Sequence, residues 1–165
     1  MEEIFKRVSI RKYEDKEVEP EKIEHILRSA MAAPSAGNQQ PWEYIVVRDR
    51  ETIQKLSECS QYAGCAANAP VVIVTCRKTE GLKFPELSEI DLAITTGYML
   101  LAITSLGLGA VWLGIAPVME RVEKADAILG IGDTLHAFAL VPLGYPAEDK
   151  QQQDRFDESR IHYVE

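Results

Sequence analysis

The sequence predicts one domain that combines helices with β-strands, and three observations support this. The chain has 165 residues, which suits one hydrophobic core, because single cores usually close within roughly 100 to 200 residues. Apolar residues recur with helical spacing in some segments, whereas others are continuous runs of β-branched and aromatic residues. The sequence contains no internal repeat, low-complexity tract or obvious linker. We therefore expect a single compact unit.

The first half of the chain predicts three helices, a loop and two strands. Residues 2–7 indicate a short helix, and Pro20 begins a longer one that ends before Pro34. Residues 34–41 are turn-forming residues bounded by prolines, which predicts a shaped loop. Aromatic and β-branched content predicts strands at 42–47 and 71–76. Between these strands, residues 51–59 favour a helix, and residues 60–69 follow no clear period.

The second half is dominated by a long helix at 91–106 that has scarcely any polar face. Such a helix is buried on all sides, so we expect a partner chain to cover part of it. It is shorter than the roughly 20 residues of a membrane span. Glycines at 107 and 109 end it, and strands are predicted at 110–113 and 135–143, with an amphipathic helix at 118–129. The tail, 144–165, folds only by packing on something else.

Composition excludes several functional classes. A net charge of -8 argues against nucleic-acid and anionic-membrane binding, because both need a positive surplus. The charged first residues lack a secretion signal, so we expect a cytoplasmic protein. Three cysteines without a CxxC pair and three scattered histidines favour neither a disulfide framework nor a metal site. The charge runs at 14–24 and 120–126 are typical of solvated helix faces.

Two segments carry candidate binding groups. If residues 7–11 are extended, Arg7, Ser9 and Arg11 point to the same side, and forked guanidinium donors with a hydroxyl suit a phosphate. A solvated basic stretch is the alternative, and composition alone favours it. The loop at 34–41 contains hydroxyl and amide groups that could form hydrogen bonds with the edge of a planar ring that carries carbonyl and imide groups. It could equally be a helix-to-strand connection stabilised by its own side chains.

Other catalytic patterns are missing from the sequence. The glycines at 107–114 follow a helix rather than a strand, and Trp112 stands where a dinucleotide fingerprint needs its third glycine. There is no GxSxG nucleophile motif, and no pair of carboxylates forms a recognisable acid and base. Any chemistry is therefore expected to belong to a cofactor.

An ordered set of motifs resembles the nitroreductase family of flavoproteins over almost the whole chain. The motifs are RVSIRKY, APSAGNQQPW, NAPVVIV, a D-x-A before the long apolar helix, SLGLGAVWLG, and LGYPAED followed by DRF. The resemblance implies an α+β fold with a mixed, mainly antiparallel sheet flanked by helices. It also implies an interlocked homodimer with two FMN sites at its interface, where the long apolar helix lies in the dimer core.

The resemblance assigns binding roles to matching positions. The FMN phosphate and ribityl chain correspond to Arg7, Val8, Ser9 and Arg11, with Arg155 as a second phosphate contact. The loop that reaches the flavin from the other subunit corresponds to Pro34, Ser35, Ala36 and Asn38, with Gln40 nearby. The backbone along flavin N5 corresponds to Leu113, Gly114 and Ile115, and an amide contact corresponds loosely to Gln61. Gln153 replaces a basic residue of many relatives, and Gly114 replaces a glutamate of some.

The implied activity is a ping-pong oxidoreduction. NADH or NADPH gives hydride to flavin N5 and leaves, and a small acceptor such as a nitroaromatic or a quinone takes its place. The protein then supplies orientation and electrostatics rather than an acid or base, so no catalytic side chain is expected. One alternative is a flavin-binding module, a sensor or carrier, without nicotinamide turnover. Another is an enzyme of the same fold with other flavin chemistry, such as reductive dehalogenation or flavin breakdown.

Overall fold

Within residues 2–164, which the computed structural model describes, five strands form one sheet. The strands are β1 (Trp42–Val47), β2 (Val71–Lys78), β3 (Gly109–Ala110), β4 (Leu113–Gly114) and β5 (Leu135–Gly144). Their order is β1-β2-β5-β3, with β4 also paired to β5, and all of these pairings are antiparallel. Ser9 adds a parallel bridge to Ala110, so the sheet is mixed but mainly antiparallel, as expected.

Helices cover both faces of this sheet. They are α1 (Glu2–Lys6), α2 (Pro20–Met31), α3 (Arg50–Leu56), α4 (Ser88–Ser105) and α5 (Met119–Leu129). Side chains of β2 alternate between the faces, so Val72 and Val74 pack with α3 and α5, whereas Val71 and Ile73 pack with α2 and α4. This alternation is the period of a strand that is buried on both sides.

The strand predicted at 110–113 was wrong, because the structure has two short strands, β3 and β4, in its place. Both pair with β5 in the same register, so the interruption is local. The register puts Val111 opposite Pro142, and the Val111 N–H donates to the Pro142 carbonyl at 3.4 Å. Proline has no N–H to return a second bond, which explains why the ladder breaks there.

Helix α4 begins at Ser88, three residues before its predicted start. Its inner side is fully buried at Leu92, Met99 and Ile103, but Ile90 is 58% exposed and Tyr98 42% exposed. Part of the helix is therefore uncovered in a single protomer, and its cover by a partner chain stays a prediction. The segment Pro85–Ser105 is long and apolar enough to cross a membrane by length and composition, with 44% of its apolar window buried. The core helix of a soluble protein passes the same test of length and composition, so this result is weak evidence of a membrane span.

The C-terminal tail has little regular structure. After β5 it contains a single 3₁₀ turn, Glu158–Arg160, within the described residues. Its large apolar side chains are exposed, among them Phe156 at 76% and Tyr163 at 81%. The tail therefore buries little of its apolar surface on its own protomer.

Candidate functional site

The basic segment near the N-terminus is held firmly against the sheet. The Ile10 N–H donates to the Ala110 carbonyl at 2.9 Å, and the buried Tyr13 hydroxyl donates to the carbonyls of Ile10 and Pro142. Burial raises the pKa of Tyr13 far above its usual range. Gly109 makes the approach possible, because a Cβ there would lie 2.7 Å from the Ile10 side chain.

Alternation along this segment separates core side chains from outward-facing ones. Val8 and Ile10 pack into the core, so the side chains of Arg7, Ser9 and Arg11 turn to the other side. The guanidinium groups of Arg7 and Arg11 form no ion pair or hydrogen bond with any described residue. Unpaired cations are notable in a chain with 26 acidic and 18 basic residues.

Glu148 ties the C-terminal part of the chain to this segment. Its Oε1 accepts hydrogen bonds from the Arg11 N–H at 2.6 Å and the Lys12 N–H at 3.3 Å. The bond from Arg11 and the ammonium group of Lys150, 3.0 Å away, hold the pKa of Glu148 below its usual value. Lys150 Nζ also donates to the Ser9 carbonyl at 3.4 Å. The structure therefore brings a third cation to the predicted phosphate end of the site.

Beside Arg11 lies a cavity of about 330 Å³, which we call the cation cavity. Arg11, Leu113 and Gly114 all line it, so the structure brings these three predicted residues together. None of its lining residues in the described chain carries a carboxylate. A Cβ added to Gly114 would meet nothing closer than the Ala116 carbonyl at 4.0 Å. The cavity is lined by Arg11, Ser60, Tyr62, Trp112, Leu113, Gly114 and Arg121.

The backbone of the polar loop 34–41 is held in an uncommon left-handed conformation at three positions. Gly37, Asn38 and Gln40 have φ values of 52°, 55° and 47°, a left-handed region that costs a residue with a Cβ roughly 1–2 kcal/mol. Phe84 packs so closely over Gly37 that a Cβ there would lie 2.6 Å from its ring. Non-glycine residues keep such conformations only where the surroundings enforce them.

The buried carboxylate of Asp91, in the first turn of α4, enforces this shape. It accepts hydrogen bonds from the Ala36 N–H at 2.9 Å and from Gln39 Nε2 at 2.8 Å. The Gln39 amide also donates to the Phe84 carbonyl and accepts from the Phe84 N–H. Gln39 is therefore fully engaged within the protomer, and it holds the loop in shape.

The other polar side chains of the loop also bond within it. The Gln40 N–H donates to Ser35 Oγ at 3.0 Å, and Gln40 Nε2 donates to Asn38 Oδ1 at 3.1 Å. These bonds leave the side-chain NH2 group of Asn38 and the side-chain carbonyl of Gln40 without a partner in the described chain. The alternative of a self-stabilised connection is thus correct for most of the loop, without excluding a ligand.

Several predicted residues do not meet in one protomer. No hydrogen bond or ion pair in residues 2–164 joins the loop from Pro34 to Gln40 to the cation cavity. Arg155 lies in the exposed tail and makes no described polar contact. Gln61 is exposed, and its neighbours line the cavity in its place. Ile115 is fully buried. Its N–H donates to the Phe138 carbonyl at 3.1 Å, so this N–H is not free to bond to a ligand.

Sequence reasoning missed two cations and misjudged one charge run. Arg121 lines the cation cavity, and Lys150 approaches Ser9. The run at 120–126 is not wholly a solvated face, because Asp126 is 6% exposed. Its carboxylate accepts from the Ala137 N–H and pairs with His136 Nδ1 at 2.7 Å. The spacing of Asp126 from the apolar Val122 by one helical turn was the available signal.

A larger groove of about 680 Å³ lies on the other side of Arg11. Arg48 and Arg50 line it, but their guanidinium groups already donate to backbone carbonyls of Val18, Ala67 and Ala69. Acidic residues at 14, 15 and 17 also line it. The smaller cation cavity is therefore the better candidate for an anionic ligand.

Comparison with known proteins finds a matching family model and similar proteins. Residues 4–61 and 60–145 match the model of the nitroreductase family. A protein of Methanothermobacter thermautotrophicus, provisionally named NADH dehydrogenase/NAD(P)H nitroreductase, is 44% identical over 162 residues, covering 98% of this chain and 85% of its own.

Solved structures share the whole fold. A provisionally named NADH oxidase of Clostridium acetobutylicum superposes with a TM-score of 0.95 at 46% identity, covering 99% of both chains. A provisionally named nitroreductase of Desulfovibrio desulfuricans, solved in complex with FMN, has a TM-score of 0.85 at 28% identity, covering 99% of this chain and 95% of its own.

Proposed function

The chain belongs to the nitroreductase family, and we propose that it is an FMN-dependent oxidoreductase. In this proposal NADH or NADPH donates hydride, and a small oxidised acceptor such as a nitroaromatic or a quinone receives it, in a ping-pong cycle. The names of the M. thermautotrophicus relative and the FMN complex of the D. desulfuricans structure support the donor and the cofactor. The class of acceptor is inferred from the chemistry that the family resemblance implies.

The observation that carries the proposal is the cation cavity. It combines unpaired guanidinium charge with open space over Gly114, and no carboxylate lines it in the described chain. Its volume of about 330 Å³ lies at the lower end of ordinary ligand pockets, roughly 300–1,000 Å³. This donor set fits a flat ligand with a phosphate and a polar edge, which is the chemistry of FMN.

We assign holding roles to the residues around the cavity. Arg7, Ser9 and Arg11, with Lys150, would bind the phosphate and ribityl chain, because guanidinium and ammonium donors form strong charge-assisted bonds with phosphate. Arg155 is proposed as a further phosphate contact. The backbone at Leu113 and Gly114 would lie along the ring. When bound, FMN supplies the hydride chemistry at its N5 atom.

The second half of the site is proposed to come from another subunit. The loop from Pro34 to Gln40 lies apart from the cation cavity in one protomer, yet Asn38 retains free amide donors. The outer side of α4, with Ile90 and Tyr98, and the tail residues Phe156 and Tyr163 leave apolar surface uncovered. A homodimer that buries these surfaces and brings the loop to the partner's cavity explains both features.

The decisive experiment is cofactor binding followed by reduction. Purified protein should be yellow or should quench the fluorescence of added FMN, and FAD should not bind comparably, because the residues supply one phosphate site. NADH or NADPH should then bleach the bound flavin, and acceptors should restore its absorbance. Colourless protein that also leaves the fluorescence of added FMN unchanged rules out the cofactor. Bound FMN that neither nicotinamide bleaches indicates a sensor or carrier.

Oligomeric state is a separate test. Light scattering of the FMN-bound protein should give the mass of two chains, which is about 37 kDa from 18.5 kDa each. A folded monomer that still binds FMN would rule out the shared site. A screen of nitroaromatics, quinones and halogenated phenols under steady NADH would distinguish the proposed acceptors from reductive dehalogenation.

A further inference from the structure

Arg121 occupies a position in the cation cavity that neither its sequence context nor the motifs indicated. It lies in the first turns of α5, whose Val122 and Ala125 anchor the helix in the core. Arg121 Nη1 donates to the Gly114 carbonyl at 3.2 Å. Its guanidinium carbon also lies 5.8 Å from the centre of the Tyr62 ring. Arg121 thus spans the cavity between α5, β4 and the segment after α3.

These contacts set the electrostatic environment beside Gly114. A backbone carbonyl at the cavity wall presents the negative end of a dipole, and the bond from Arg121 offsets it with a full positive charge. Arg11 is the other guanidinium that lines the cavity, and no carboxylate lines it within residues 2–164. In a chain with a net charge of -8, the cavity is therefore a local region of positive potential.

We propose that Arg121 favours the reduced over the oxidised form of bound FMN, an inference that rests on the proposed function. Two-electron reduction at neutral pH adds negative charge to the flavin ring. A fixed cation in a partly enclosed cavity interacts with that charge far more strongly than one in bulk water. Because Arg121 also fixes the Gly114 carbonyl, its removal would both delete a charge and leave the carbonyl dipole unopposed.

The test compares the affinity of the protein for oxidised and for reduced FMN. Arg121→Gln should weaken binding of reduced FMN about tenfold more than binding of oxidised FMN. For a two-electron couple, a tenfold change in this ratio corresponds to about 30 mV, here toward a more negative potential. Arg121→Lys, which keeps the charge, should leave the ratio within about threefold of the wild-type value.

Lys124→Gln is the matched control, because it removes the same charge from the next turn of the same helix. Lys124 Nζ donates to the Glu58 carbonyl and does not line the cavity, so its removal should leave the ratio unchanged. Thermal unfolding followed by circular dichroism checks that each variant is folded.

Two results would overturn the inference. Equal weakening of both redox forms by Arg121→Gln means that the residue serves shape or general binding alone. An equal shift from Lys124→Gln means that overall charge, rather than the contact with Gly114, sets the potential. Wild-type protein that binds neither form of FMN overturns the proposed function itself, and that result is recognised before any variant is measured.

Discussion

The cation cavity and the loop from Pro34 to Gln40 are built in opposite ways. In the cavity Arg11 presents a guanidinium that makes no described hydrogen bond, and Arg121 presents one whose described bond is to the Gly114 carbonyl. In the loop the polar side chains mostly bond to one another or to Asp91, and the backbone takes left-handed conformations at Asn38 and Gln40. The cation cavity therefore presents positive charge beside the sheet, whereas the loop presents its groups in a fixed backbone conformation.

The difference indicates how each region would lose function. A substitution of Arg11 in the cavity should remove a contact and leave the fold intact, because this side chain is exposed and its guanidinium makes no described bond. A substitution beneath the loop should release strained backbone and change stability together with binding. Stability and FMN affinity measured side by side should therefore separate the two regions.

The largest expected effect is at Asp91. Asp91→Ala removes a buried carboxylate that accepts two hydrogen bonds, and it leaves the half-buried Ala36 N–H without a partner and Gln39 Nε2 with only its bond to Phe84. Bonds to a charged group contribute about 1.5–3 kcal/mol each, so we expect the free energy of unfolding to fall by about 3 kcal/mol in urea titrations. FMN affinity should fall as well, because the loop loses its shape.

Glu89→Gln is the control for Asp91, because Glu89 lies in the same first turn of α4 but is exposed and makes no described hydrogen bond. It should change stability by less than about 0.5 kcal/mol, the usual range for surface substitutions. Similar losses in both variants would indicate a general effect of charge at the start of α4, and the assigned role of Asp91 would then be wrong.

The next effect concerns Arg11 and the cation cavity. Arg11→Ala should weaken FMN binding about 10- to 100-fold, because a charge-assisted bond to phosphate contributes about 1.5–3 kcal/mol. Arg155→Ala should act in the same direction if the tail reaches a phosphate in the dimer. Thermal stability should change little in either variant. Fluorescence titration with FMN measures the affinities.

Lys12→Ala is the control for Arg11. Lys12 lines the larger groove and not the cation cavity, so its removal should leave FMN affinity within about threefold. If Lys12→Ala and Arg11→Ala weaken binding equally, the phosphate site has been placed on the wrong face of the segment.

Two glycines on the strands that pair with β5 sharpen the comparison, because Gly109 of β3 packs against the core whereas Gly114 of β4 lines the cation cavity. Gly109→Ala would place a methyl group 2.7 Å from Ile10, and such overpacking costs about 1–3 kcal/mol. Gly114→Val meets open space, so it should leave stability nearly unchanged but reduce FMN affinity at least about tenfold by filling the place of the ring. Paired unfolding and binding measurements should give opposite patterns, and the same pattern in both would contradict the assigned geometry.

The sequence predicted the parts of this molecule that depend on local patterns. The continuous β-branched run placed β2, and the turn-forming residues at 34–41 predicted the loop. The sequence did not indicate which side chains form hydrogen bonds with residues far away along the chain. Asp91 was identified only as part of the D-x-A motif, with no partner assigned to it, and Arg121 lay in a charge run typical of a solvated face. Their roles depend on which segments the fold brings to Ala36 and Gly114, and spacing along one chain does not encode that directly.

The smallest expected effect is the pH dependence of the link between Glu148 and Arg11. Hydrogen bonds from the Arg11 N–H, together with Lys150, lower the pKa of Glu148 from its ordinary value of 4.5. A lowered pKa in the folded state means that the stabilisation is fully present above pH 4.5. It is lost as the pH falls through the lower folded value. Glu148→Gln should therefore cost up to about 1 kcal/mol at pH 7.

The same argument predicts how this cost changes with pH. Wild type and Glu148→Gln should converge in urea titrations below pH 4.5, because protonated Glu148 no longer holds Arg11 and Lys150 by charge. The exposed neighbour Asp149, which makes no described hydrogen bond, provides the control, and Asp149→Asn should follow wild type at every pH. A Glu148→Gln deficit that stayed constant from pH 7 to pH 3 would show that the side chain acts through packing rather than charge. The cation cavity would then depend on Glu148 only for shape, as the loop depends on Gln39.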